Sequence, residues 1–125
     1  MNLVTDLSQL PTAFAERFNA RDIEGLLALN EPEAVFVPAP GNPVDGEPGI
    51  RAALEQFLEL QLPITMNVRR SYSVEEVGFV MADWSIEGAG PDGSPIALAG
   101  TTADVARFEP GAGWRYVIDN PFGTV

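Results

Sequence analysis

Apolar and polar positions along this chain change their period at Pro63. Ahead of it, Leu7, Leu10, Phe14 and Phe18 recur at helical spacing, with Glu16 and Arg17 on another face. Pro11 is tolerated only in a first turn, so the spacing predicts a helix from Leu10 to Ala20. Asp22 suits the N-cap of a short second helix, Ile23 to Leu29, which Asn30 and Pro32 end. A short strand is expected at Ala34 to Val37. The stretch 38–49, with four prolines and three glycines, predicts no regular element of its own. A third helix is expected from Pro48 to Leu60, with Ile50, Leu54, Phe57 and Leu58 along one side.

Beyond Pro63 the period is two. Ile64 to Val74 reads as a strand with Met66, Val68, Arg70 and Tyr72 on one face. Val77 to Glu87 is its antiparallel neighbour, turned at Glu75-Glu76, and Gly88 to Gly93 is a turn cluster. Two apolar runs, Pro95 to Phe108 and Trp114 to Phe122, are joined by Glu109-Pro-Gly-Ala-Gly113 and predict a hairpin. Helices followed by four long antiparallel strands give an α+β fold with helices on one sheet face. A strongly twisted sheet curls round such helices and leaves a cavity between them.

Alternation places Leu98, Gly100, Thr102, Asp104 and Ala106 on one face of the penultimate run. A carboxyl amid small, mostly apolar neighbours is costly unless it is paired, protonated or used. Asp104 therefore has two readings, a structural carboxylate held by an arginine such as Arg70 or Arg107, or a hydrogen-bond and proton donor facing a pocket. Asp83, mid-strand, is solvated or at a subunit seam if its face is convex; if concave, it could pair with Asp104. Asn120 shares a face with Trp114, Tyr116 and Ile118 and can orient a ligand by hydrogen bonds, whereas Asp119 is expected to point away, toward solvent or a partner subunit. Phe14, Phe18, Phe57, Thr102, Trp114 and Tyr116 are candidates for the cavity wall, aromatic core being the competing reading. The 38–49 loop is either a lid or a rigid connector.

Composition narrows the chemistry. The 125 residues, 46% hydrophobic and 20% charged, fit one globular domain over 1–125. A net charge of −11 disfavours nucleic acid and anionic membranes as partners. Neither a long apolar run nor a signal-peptide pattern is present, and with no cysteine the expectation is a cytoplasmic protein without disulfides. With no histidine and no lysine, acid–base work falls to Asp, Glu or Tyr, and no metal or other cofactor is expected.

The element order, with Phe14-Ala-Glu-Arg-Phe-Asn-Ala-Arg-Asp-Ile-Glu-Gly-Leu-Leu, Val44-Asp-Gly-Glu-Pro-Gly-Ile-Arg51 and the closing Trp-x-x-Val-x-Asp-like strand, resembles the NTF2-like superfamily. Within it, the SnoaL-like and ketosteroid-isomerase-like proteins are the nearest in pattern. The resemblance covers nearly the whole chain and implies a cystatin-like cone, with N-terminal helices packed in a curved antiparallel sheet. Against ketosteroid isomerase, Asp104 falls where that family keeps a protonated aspartic acid, a case in which apolar surroundings hold a carboxyl neutral at pH 7. The family's oxyanion-hole tyrosine falls on Phe14, and its general-base aspartate on Val37 or Pro38. The resemblance thus implies a small-molecule pocket protein of the SnoaL-like type, with an apolar, cyclic ligand and cofactor-free isomerase, cyclase or hydratase chemistry. The alternative is a non-catalytic ligand-binding or dimerisation module. A homodimer through the open sheet face is expected in either case.

Overall fold

The computed structural model describes residues 2–125. A single 3-10 turn, Leu7–Gln9, leads into α1, Leu10–Asn19, with Pro11 in its first turn. Helix α2, Ile23–Leu27, is capped by Asp22, whose carboxylate accepts the Gly25 N–H at 2.9 Å. It stops two residues before the expected end. Helix α3, Gly46–Leu58, begins inside the proline-rich stretch, since Pro48 is accommodated in a first turn. Arg51 joins α3 to α2 by bonding Glu24 and Glu47 at 2.7 and 2.6 Å.

The strands are β1, Asn30–Phe36; β2, Val44–Asp45; β3, Ile64–Val74; β4, Val77–Ala89; β5, Pro95–Thr101; β6, Asp104–Glu109; and β7, Gly113–Asp119. They form one sheet in the order β2-β1-β7-β6-β4-β3, with β5 also paired to β4. The mixed α+β architecture with a curved sheet and N-terminal helices is the expected one, but three features of the sheet differ from the expectation. Strand β1 is longer than predicted and runs parallel to β7, so the sheet is mixed rather than wholly antiparallel. The 38–49 region holds β2, paired to β1 through Val35–Asp45 and Phe36–Val44. The expected single run 95–108 is two strands.

That break places the site. One edge of β4 is shared: its first part pairs with β6 and its later part with β5. Between them Thr102 replaces ladder bonds with its own. Its N–H donates to the Ala82 carbonyl at 2.8 Å, and its Oγ1 accepts the Ala82 N–H at 2.9 Å. The even-numbered face survives the break, so Thr102, Asp104 and Ala106 are all buried with Val80, Ala82, Trp84 and Ile86 of β4.

Helices α1 and α3 fill the concave side of the sheet. Leu10, Phe14, Phe18, Ile50 and Leu54 are buried against Trp84, Ile86 and Tyr116. Burial of large side chains at roughly 25 cal/mol per Å² supplies the main driving force. Asn19, the last residue of α1, fixes the helix to the sheet: it donates to the Ile64 carbonyl at 3.0 Å and accepts the Ile64 N–H at 2.8 Å. No helix among the described residues is long and apolar enough to cross a membrane.

Candidate functional site

A cavity of about 40 Å³ lies between the helices and the sheet. Its wall is almost wholly apolar. Phe14 and Phe18 come from α1, Leu54 and Phe57 from α3, and Ile64, Met66, Trp84 and Ile86 from β3 and β4. Phe14 stacks on Phe18 at 6.0 Å and meets the Tyr116 ring edge-on at 6.3 Å. The polar contribution comes from Thr102, Tyr116 and Asp119. Of the wall predicted from sequence, Phe14, Phe18, Phe57, Thr102 and Tyr116 are brought together here. Trp114 is not. It packs instead on Phe108 at 5.6 Å, and its ring lies beside Leu7 and Gly78, because its register opposite Phe108 sets it at the other end of the sheet.

Asp119 is the residue that alternation misplaces. Along β7, Tyr116 pairs with Ala106 but Ile118 pairs with Val105, so one extra residue bulges at Val117. The bulge reverses the alternation: Ile118 is 39% exposed, while Asp119 is buried and reaches the cavity. No turn or glycine signal in Val117-Ile118-Asp119 announces this. The expectation that Asp119 faces solvent is therefore corrected.

The bulge brings the Asp119 and Asp104 carboxyls together, close enough to hydrogen-bond when one of them is protonated. Asp104 is fully buried behind it, outside the cavity wall. Its Oδ1 accepts the Asn120 N–H at 2.8 Å, whereas its Oδ2 has no donor among the described residues. Protonating one of the two would supply a donor between them and avoid two adjacent charges. Burial pushes the Asp104 carboxyl up to about 7, against the pull of the Thr102 hydroxyl and the Asn120 N–H. Burial, the charge of Asp104 and the bond between them push Asp119 well above the usual carboxylate range. Tyr116 is raised as well, by burial and then by the charge of both aspartates, so its hydroxyl stays neutral. The polar end of the cavity is thus Asp119, backed by Asp104, beside a phenol.

Asp83 is elsewhere. It projects from the outer face of β4, where Arg69 bonds it at 3.0 Å and the Thr101 hydroxyl donates to it at 2.7 Å. Those two contacts, Thr101 first, hold its carboxyl below the usual range. It cannot pair with Asp104, which faces the interior. Asn120 spends one N–H of its side-chain amide on the Gly123 carbonyl at 2.8 Å and is not among the residues of the cavity wall. The two arginines weighed as partners for Asp104 are engaged on the surface, Arg107 with Glu31 and Arg70 with the Arg69 carbonyl. No cluster of three His, Cys, Asp or Glu able to hold a metal occurs among the described residues.

This arrangement of helices inside a curved sheet is shared with known proteins, and residues 12–116 match the SnoaL-like domain family. The chain belongs to that family. This SnoaL-like protein shares its fold with solved structures named NTF2-like or ketosteroid isomerase-like. It superposes on a ketosteroid isomerase-like protein from Erwinia carotovora atroseptica with a TM-score of 0.74 and 15% identity, over 88% of this chain and 87% of that one. A member of the NTF2-like family from Streptomyces avermitilis, provisionally named a dehydratase, gives a TM-score of 0.73 at 17% identity, over 88% of each chain. An NTF2-like superfamily protein from Salmonella enterica serovar Typhimurium gives 0.75 at 17% identity, over 95% and 91%. At these identities the shared property is the fold. No curated protein sequence matches the SnoaL-like chain.

Proposed function

We propose that this SnoaL-like chain is a small-molecule pocket protein that receives an apolar, cyclic ligand bearing a carbonyl oxygen. The observation that carries the reading is the buried Asp119 carboxyl at the polar end of an apolar cavity. Asp119 faces the cavity and donates the hydrogen bond, and Asp104 stands behind it as a positioning residue that keeps the proton available. A buried neutral donor is worth most to an oxygen that gains charge, so the same geometry serves cofactor-free isomerisation, cyclisation or hydration. The names of the Erwinia and Streptomyces neighbours support chemistry of that kind.

A second reading, a binding module that converts nothing, is favoured by a different observation. Phe14 and Val37 stand where the resemblance implies a tyrosine donor and a base, and neither can move a proton. One experiment separates the two. Cyclohexanone titrated into labelled protein in D2O is expected to shift the Ile64, Met66 and Ile86 methyl signals, and Asp119→Ala should weaken that binding about tenfold. Exchange of the ketone α-hydrogens accelerated by the protein marks an enzyme; binding without exchange marks the module. Shifts confined to residues outside the cavity wall refute the pocket.

The partner proposed for the outer sheet face is a second copy of the chain. Tyr72, Val74, Val77 and Phe79 are all exposed there, Val74 by 70%. The Val68–Arg70 bulge in β3 turns Tyr72 to this side, opposite Phe79, and puts Arg69 and Arg70 beside the stripe. A cytoplasmic setting suits a chain without cysteine.

A further inference from the structure

The cavity is too small for the ligand just proposed. About 40 Å³ accommodates a few water molecules, whereas small-molecule sites measure about 300 Å³ or more. Part of the wall must therefore give way, and the segment that can do so is visible. Strand β7 ends at Asp119, and residues 120–125 form a turn across the outer end of the cavity. Pro121 is at once part of the cavity wall and half exposed. Its carbonyl accepts the Trp84 indole N–H at 2.6 Å, and the Phe122 ring sits edge-on to the same indole at 5.6 Å. The seat is built for close approach: a Cβ on Gly100 would stand 2.9 Å from the Pro121 oxygen and 2.9 Å from Trp84 Nε1. The turn is rooted at Asn120, whose N–H donates to Asp104 Oδ1 and whose carbonyl accepts the Ala103 N–H, and Gly123 packs closely on the Thr101 carbonyl. Between those two points Pro121 and Phe122 are held by the Trp84 contacts and by the turn's own bonds, Asn120 Nδ2 to Gly123 O and Gly123 N–H to Asn120 O.

Pro121 and Phe122 offer the Trp84 indole two groups, a carbonyl oxygen for its N–H and an aromatic ring edge-on to its face, and a flat aromatic ketone carries the same two groups. We propose that Pro121 and Phe122 are a tethered stand-in for the ligand, occupying the outer half of its site. The incoming molecule displaces them and takes the Trp84 N–H for its own carbonyl oxygen. The inference rests on the pocket reading above and adds to it an outer subsite, its donor and the ligand class, a flat apolar ketone. It also assigns Trp84 a binding role beyond packing. The site then runs from the Trp84 N–H inward to the Asp119 carboxyl, along one apolar wall.

The test uses the neutral aryl ketone dye prodan and the corresponding dimethylaminonaphthalene without the ketone, bound to the full chain. Phe122→Ala removes the competing ring and should bind prodan about tenfold more tightly than wild type, because a larger share of molecules has the subsite open. In both proteins the ketone should bind about fivefold more tightly than its analogue, the worth of one hydrogen bond. Trp84→Phe keeps a ring and removes the N–H, so the two dyes should then bind alike. Urea unfolding establishes that each variant is folded. Prodan bound no more tightly by Phe122→Ala than by wild type overturns the stand-in and leaves the pocket intact. A ketone preference that survives Trp84→Phe overturns the donor assignment. If neither dye binds any of the three proteins, the subsite and the pocket fall together.

Discussion

Replacing Asp104 by Asn tests the acid pair through stability, without any ligand. In the folded protein the carboxyl stays neutral up to about 7; its ordinary value is 3.8. The difference corresponds to roughly 4 kcal/mol in favour of the neutral form. A carboxyl raised on folding contributes stability that is complete below the unfolded-state value and is lost as pH rises through the folded one. Between about pH 4 and 7 the unfolded chain releases this proton while the folded chain keeps it, and the wild type loses that roughly 4 kcal/mol. Asn cannot ionise, so the loss disappears in the variant. Whatever fixed cost the substitution carries, the stability of Asp104→Asn relative to wild type should therefore climb by roughly 4 kcal/mol from pH 4 to 7.5. The Asp119 carboxyl and the Tyr116 hydroxyl are the titratable neighbours, and burial first, then the neighbouring carboxyl charge, raises both. Urea unfolding followed by the fluorescence of Trp84 and Trp114, both buried, reads the difference at each pH. Two stability curves that run parallel from pH 4 to 8 refute the shared proton.

Asn19→Ala removes both hydrogen bonds that tie α1 to β3; it should cost about 2 kcal/mol in urea unfolding, because the Ile64 backbone groups lose their partner in a half-buried place. Gly113 has φ +77, and a Cβ there would stand 2.5 Å from the Val4 carbonyl oxygen. Gly113→Ala should destabilise by about 2 kcal/mol or more and release the N-terminal segment to fast amide exchange. Val77→Arg should convert a two-fold dimer to a folded monomer in sedimentation, with a urea midpoint that no longer rises with protein concentration; a wild type that sediments only as monomer at micromolar concentration refutes the outer-face interface.

What the residue pattern revealed and what it hid divide along the sheet. Helices with a regular apolar face, such as Phe14 and Phe18 on α1, announce themselves, and so does the 64–74 and 77–89 pair with its two-residue turn. Asp104 stood out because the break at Thr102 leaves its side of the strand unchanged. Asp119 did not, because one bulged residue at Val117 reverses every side chain after it, and no local residue type marks such a bulge. Val68–Arg70 hides a second bulge in the same way, which is why Tyr72 faces outward with Phe79. The parallel pairing of β1 with β7 is non-local and leaves no periodic trace in either strand.

That last pairing also orders the assembly of the molecule. Strand β1 has no antiparallel neighbour in the sheet except the two-residue β2, and Tyr116 N–H bonds the Leu29 carbonyl while Trp114 N–H bonds that of Val4. The first strand and the N-terminal segment are therefore without their main edge until β7, last of the strands in chain order, has been made. Phe14 and Phe18 wait with them for the Tyr116 side of their packing. Such long-range closure is slow and leaves apolar surface open meanwhile. On the ribosome α1 can seat on β3 early, through Asn19 and Ile64, while β1 and the N-terminal segment keep an open edge until the last strand is made. A holdase chaperone would find its substrate in that edge.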